Sequence, residues 1–113
     1  MLDYEKLDVY QCSIEFLALS YDLLQSLPRG SAIIADQLKR ASLSIPLNIA
    51  EGTGKTTTAD KSRYYSIARG SAMECGAILD VCVVMKLIEK PLHSKGKSLL
   101  VRIVSMLSKM SLS

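Results

Sequence analysis

At 113 residues the chain is long enough for one hydrophobic core but not for two, so a single domain over 1–113 is expected, folding without metal or disulfide staples. Hydrophobic residues make up 49% of it and aromatic ones only 5%, a balance of Leu, Ile, Val, Ala and Met that suits helix-on-helix packing and argues against a β-sandwich. The net charge of +3 does not by itself imply nucleic acid, but it is unevenly placed: residues 1–37 carry two bases and six acids, and residues 38–113 carry twelve bases and five acids, giving −4 and +7. That asymmetry points to a polyanionic partner.

The opening MLDYEKLDVY has no basic segment leading into an apolar one, so no signal peptide is expected. The first helix is predicted over 8–26, with Asp8 as N-cap and Val9, Cys12, Phe16, Leu19 and Leu23 forming one apolar stripe. Leu27-Pro28-Arg29-Gly30 breaks it, and Ser31 can cap the next helix. A connection this short makes the first two helices antiparallel neighbours in the expected bundle.

A second helix is predicted over 32–51, with Ile34, Leu38, Ala41, Ile45, Asn48, Ile49 and Gly52 at helical spacing. Pro46 lies inside it, where the lost bond to the Ser42 carbonyl costs roughly 3 kcal/mol unless a kink is accommodated. The pattern predicts a kinked helix flanked by Ser42, Ser44 and Asn48. The loop GTGKTT at 52–57 ends like a phosphate-binding loop, but the required first glycine is replaced by Ile49 and a helix precedes it where a strand is needed. It reads instead as a glycine-rich helix end followed by Thr57 as N-cap with Asp60 three residues on.

The third helix is predicted over 58–89, with Tyr64, Ala68, Ser71, Cys75, Ile78, Cys82 and Met85 as a heptad seam. Its first half is lined with small residues, which let a neighbouring backbone approach closely. Residues 77–88 are apolar around nearly the whole circumference, a stretch that holds Asp80 and Lys86 and is too short to span a bilayer. Such a helix is buried on more than one side, so self-association through Leu79, Val83, Val84 and Leu87 is expected. Pro91 is taken to stop it. A fourth helix over 94–110 follows, with Leu100, Ile103, Leu107 and Met110 as its stripe, Lys95 and Lys97 in its first turn, and a serine-rich end at 111–113 that should fray. Cys12, Cys75 and Cys82 form an odd set without a CxxC pair and read as reduced, buried small hydrophobes. A cytoplasmic protein with no membrane partner is the expectation.

The stretch QLKRASLSIPLNIAEGTGK, followed by RYYSIARGSAMECGAIL, resembles the bacterial four-helix bundle family of proteins encoded within intervening sequences of 23S ribosomal RNA genes. The matching positions are Gln37, Arg40, Ala41, Ser44, Ile45, Asn48, Ile49, Ala50, Glu51 and Gly52, then Ile67, Ala68, Gly70, Ser71 and Glu74. The resemblance implies an all-α up-down-up-down bundle and a homo-oligomer, a ring-shaped pentamer in some members. It also implies association with RNA, or an accessory role like that of the related retroelement bundles. It supplies no catalytic residue.

Within that frame Asn48, Glu51, Ser71 and Glu74 read as a buried polar clasp between the second and third helices, with Arg40 or Arg69 as counter-charge. A ferritin-type metal site would need Glu-x-x-His pairs, and the sole histidine, His93, is far from both glutamates in sequence. No serine, cysteine or lysine has a His/Asp arrangement for nucleophilic catalysis. In an up-down-up-down bundle Arg29, Lys86, Lys90, His93, Lys95 and Lys97 gather at one end with few acids nearby, a candidate phosphate-binding rim, and Lys55, Lys61 and Arg63 form a second set at the other. The expectation is therefore a non-enzymatic, self-associating bundle that binds structured RNA through a basic end, without cofactor, metal or small-molecule substrate. The alternative is a protein-binding scaffold acting through the apolar surface of helix three.

Overall fold

The computed structural model describes residues 1–111, and so the expected fraying at 112 and 113 lies outside the described residues. After a short 3-10 helix at Asp3–Lys6 come α1 (Asp8–Ser26), α2 (Ala32–Thr53), α3 (Thr58–Val84) and α4 (Lys90–Ser111), with no strand among the described residues. They form an all-α four-helix bundle measuring 44 × 23 × 20 Å. Each helix packs on two others: α1 on α2 and α4, α3 on α2 and α4, leaving α1 and α3 diagonal to one another. Cross-helix pairs run in opposite chain order, since Thr53 meets Tyr65, Ser44 meets Ser71 and Arg40 meets Glu74.

The predicted stripes of α1, α2 and α4 are the core: Phe16, Leu23, Leu38, Ile45, Ile49, Ile103 and Leu107 are fully buried. In α1 the N-cap is Leu7, with Asp8 the first helical residue, where its charge still favours the positive end of the dipole. The predicted α3 seam is shifted by one at alternate positions. The buried stripe is Tyr65, Ala68, Ala72, Cys75, Leu79 and Cys82, so Tyr64, Ser71 and Ile78 leave the core and Met85 is exposed. α2 continues through Pro46 to Thr53, two residues beyond expectation.

The largest departure is at the α3–α4 connection. α3 ends at Val84, not at 89, because Lys86 adopts φ 59° and closes the helix: its N–H donates to the Val83 carbonyl (3.0 Å) and that of Leu87 to the Cys82 carbonyl (2.8 Å). This pair of hydrogen bonds is the Schellman stop that glycine usually makes. Pro91 does not terminate α3 but sits in the first turn of α4, where its missing N–H is one the helix would not have paired anyway. Lys95 and Lys97 consequently lie beyond the first turn of α4.

Small residues set how closely α2 and α3 approach. A Cβ on Gly52 would stand 2.8 Å from Tyr65 Cε1 and 3.1 Å from Tyr64 Cβ, and the Tyr65 ring is held by a 3.0 Å hydrogen bond between its hydroxyl and Thr53 Oγ1. Gly70, also within a helix, has nothing within 4 Å of the corresponding position. Gly52→Ala should therefore lower stability by about 1–3 kcal/mol through overpacking, against the trend of helix propensity. Gly70→Ala should raise it by about 0.5–1 kcal/mol. Urea denaturation of the pair measures both, and equal effects of the same sign would contradict the assignment of the close approach to Gly52.

Candidate functional site

The polar groups between α2 and α3 form two separate links. Ser71 Oγ donates to Ser44 Oγ (2.8 Å), and Asn48 Nδ2 donates to that same hydroxyl (3.0 Å) and to the Ser44 carbonyl (2.8 Å). One turn away Arg40 Nη2 bridges to Glu74 Oε2 at 3.2 Å. Ser44, absent from the predicted clasp, is thus its centre, and Asn48 stays on its own helix. Glu51 takes no part: it is exposed and pairs with Lys55 at 3.3 Å, one turn on along the same helix. Arg69 turns to α4, donating to Ser108 Oγ at 2.7 Å.

The residues of the predicted basic end are divided among different surroundings. Ser26, Lys86, Leu87, Glu89 and Lys90 line one hollow between the end of α1 and the α3–α4 connection. His93 Nε2 and Lys97 Nζ both lie 2.8 Å from Asp80 Oδ1, so one carboxylate holds two of the six candidate cations. These hydrogen bonds hold the Asp80 carboxyl below its usual range, with His93 contributing most. Lys95 shares a cleft with Glu15 and Asp22 of α1. The expectation of few nearby acids is corrected by tertiary placement: Asp80, Glu89, Glu15 and Asp22 all lie among these bases. Arg29, Lys86 and Lys90 form no ion pair among the described residues.

Part of the charge asymmetry of the chain is likewise internal. Asp8, Glu15 and Asp22 recur every seven residues on α1, as do Lys95, Arg102 and Lys109 on α4, and these two helices are neighbours. Glu15, Asp22 and Lys95 line the same cleft, and Glu15 and Arg102 act with opposite sign on the Cys12 thiol, whose pKa is raised mainly by burial.

The predicted oligomer surface divides as well. Leu79 is fully buried, filling the core beneath Gly96 of α4, so its assignment to an outer surface is corrected. Val83 and Leu87 are half-buried beside the α3–α4 connection, whereas Val84 is 80% exposed. Met73, Ala77, Val81 and Val84 are exposed along the outer line of α3, and Met73 and Ala77 meet Val101 and Val104 of α4 in a groove of about 510 Å³. Asp80 lies within this surface, bound by His93 and Lys97 of α4. A second groove, about 560 Å³, lies between α1 and α2 and is lined by Leu17, Tyr21, Leu24 and Leu43.

At the other end of the bundle, Thr57 Oγ1 accepts from the Asp60 N–H at 3.1 Å and caps α3 as predicted. Tyr64 stands outside the core with Lys55 Nζ 5.1 Å and the Arg63 guanidinium 4.7 Å from its ring centroid, and Lys61 Nζ donates to the Thr53 carbonyl at 2.9 Å. Gly54 closes α2 through bonds to the Ala50 and Glu51 carbonyls, a helix end and not a phosphate-binding loop. All three cysteines are buried and free, and burial followed by the Glu74 charge pushes the Cys75 thiol up to about 12. Among the described residues no three His, Cys, Asp or Glu side chains gather as a metal site, and no helix is long and apolar enough to cross a membrane.

The sequence profile described as 23S rRNA-intervening sequence protein matches residues 5–109. The chain belongs to that family. Its fold is similar to that of a protein of unknown function from the S23 ribosomal protein family of Bacteroides thetaiotaomicron. The TM-score is 0.86 at 21% identity, covering 93% of this chain and 99% of that one. No curated protein matches the chain. Five of the residues that carried the family resemblance, Arg40, Ser44, Gly52, Ser71 and Glu74, join α2 to α3.

Two outcomes follow for this end of the family bundle. Lys86→Gly should raise stability by about 1 kcal/mol, because a left-handed residue other than glycine is strained, and an unchanged urea midpoint would contradict the strain. Asp80, with its folded pKa lowered, contributes stability that is present above its unfolded pKa of about 3.9 and lost as pH falls through the folded value. The stability difference between the wild type and Asp80→Asn should thus be present at neutral pH and close below pH of about 4. A gap independent of pH would assign Asp80 a packing role only.

Proposed function

We propose that this protein is a non-enzymatic module that assembles with copies of itself through the outer α3–α4 face and offers cations at the ends of the bundle to structured RNA. The observation that carries the assembly is the apolar line from Met73 to Val84 with Val101 beside it, in which the one carboxylate, Asp80, is paired with Lys97 and hydrogen-bonded to His93. An exposed apolar surface of this kind favours burial against protein. The second apolar groove lies between α1 and α2, the pair of helices opposite α3 and α4, and differs from the first in shape and lining. Two unlike surfaces on opposite faces suit head-to-tail contact, which closes into a ring when the rotation permits and does not produce a two-fold dimer.

RNA contact is supported by unneutralised cations at the bundle ends and by the family's association with ribosomal RNA genes in its name. Contact of this type is with phosphates and weakens as salt rises.

Val84→Glu and Val101→Glu change exposed residues and should leave helicity intact while reducing the mass seen by light scattering to that of a monomer, 12.4 kDa. A monomeric wild type, or a variant that assembles as the wild type does, would refute the assembly surface. The rival reading, a scaffold whose apolar face serves a different protein, would be favoured by a monomeric wild type whose cellular activity is nevertheless lost in Val84→Glu.

A further inference from the structure

The corner between α2 and α3 holds three cations, of which, among the described residues, Lys55 is ion-paired and Lys61 and Arg63 are not. Lys55 and Arg63 flank the ring of Tyr64, at 5.1 and 4.7 Å from its centroid, and Lys61 is tied to the Thr53 carbonyl at 2.9 Å. Of the two carboxylates in this stretch, Glu51 pairs with Lys55 at 3.3 Å, and that of Asp60, whose backbone N–H is bound at the helix cap, forms no ion pair among the described residues. The opposite end is different, since there one carboxylate takes both His93 and Lys97, and Lys95 lies beside Glu15 and Asp22.

We propose that this corner, Lys55, Lys61 and Arg63 arranged around Tyr64, is the phosphate clamp through which the protein grips an RNA backbone. The inference rests on the RNA reading above and assigns it a place. An aromatic face attracts a cation without cancelling its full charge, so it can hold Lys55 and Arg63 close together against their mutual repulsion and leave Arg63 able to meet a phosphate, with Lys55 joining by exchanging its exposed pair with Glu51. A hydrogen bond to a neutral carbonyl does the same for Lys61. Holding long side chains in place before binding reduces the conformational entropy lost when the ligand arrives. Thr56, Thr57 and Thr58 are exposed on the same turn and supply hydroxyls of the kind that bind phosphate oxygens. Tyr64 is available for this because the buried aromatic of the pair is its neighbour Tyr65.

The test is binding of a fluorescently labelled, transcribed 23S ribosomal RNA hairpin to the full chain across a salt series. Lys55→Gln/Lys61→Gln/Arg63→Gln should weaken binding at low salt by about tenfold or more and reduce the salt slope by about 2–3, one contact per cation removed. Tyr64→Leu should weaken binding severalfold with the slope kept, because the cations remain but are no longer held. Lys86→Gly/Lys90→Gln/Lys95→Gln, at the opposite end, should lose less affinity and less salt slope than the corner variant. Circular dichroism checks folding, and if the triple variant does not fold, Arg63→Gln alone, at an exposed residue, should lower the slope by about 1. Loss confined to the opposite-end variant would overturn the clamp while leaving RNA binding standing. A wild type that binds no RNA at low salt would overturn the RNA reading itself.

Discussion

The close approach of α2 to α3 is the constraint on which the rest of the structure depends. It is set where side chains are smallest: Gly52 faces the ring of Tyr65 with no room for a methyl group, and Ala41, Ala68 and Ala72 are buried. Backbones this close bring Ser44 and Ser71 into direct hydrogen bonding and let Arg40 reach Glu74. Because α3 also packs on α4, rotation of α3 about its axis fixes which of its faces is left outside. The position of Ala72 and Leu79 in the core puts Met73, Ala77 and Val84 on the surface. A stripe shifted by one residue would present a different surface altogether.

That dependence explains what could be read from the sequence. The core stripes of α1, α2 and α4, and the bounds of α1, followed from periodicity because their apolar and polar faces differ clearly. α3 carries apolar or small residues around most of its circumference, so two seams one residue apart fit almost equally well. Only the volume of Tyr65 against Gly52, and of Leu79 against Gly96, distinguishes them. These are contacts across helices, which spacing along one helix does not encode. The end of α3 was hidden for a related reason. The stop is made by backbone geometry at a lysine where glycine would have announced it, and Pro91, normally a sign of helix termination, is at home in the opening turn of α4.

Charge was the least legible feature, since the effect of an ionised side chain depends on what faces it. Counting bases by segment grouped Arg29, Lys86, Lys90, His93, Lys95 and Lys97 as one set. It could not show that Asp80, thirteen residues before His93 in the chain, would lie 2.8 Å from both His93 and Lys97. Nor could it show that the acidic residues of α1 and the basic residues of α4 would share a seam. Conversely, the cations at the α2–α3 corner drew little notice from sequence because Tyr64 was counted as core, and its role as their platform depends on its exclusion from the core.

The same pairing gives a reason for the two proposed surfaces to stay separate. A carboxylate inside an apolar contact would carry a large desolvation cost if it were unpaired. Asp80 sits within the apolar surface of α3, and the two α4 side chains that bind it are the ones that would otherwise have strengthened a basic rim at that end. Pairing the carboxylate of the proposed contact face would therefore weaken the nearby end as a partner for phosphate. At the far corner no apolar surface has to be kept uncharged. An aromatic ring and a backbone carbonyl can there hold cations in place while leaving them charged. In a head-to-tail assembly through the side faces of the bundle, that corner would remain at its end, outside the contact and repeated once per subunit.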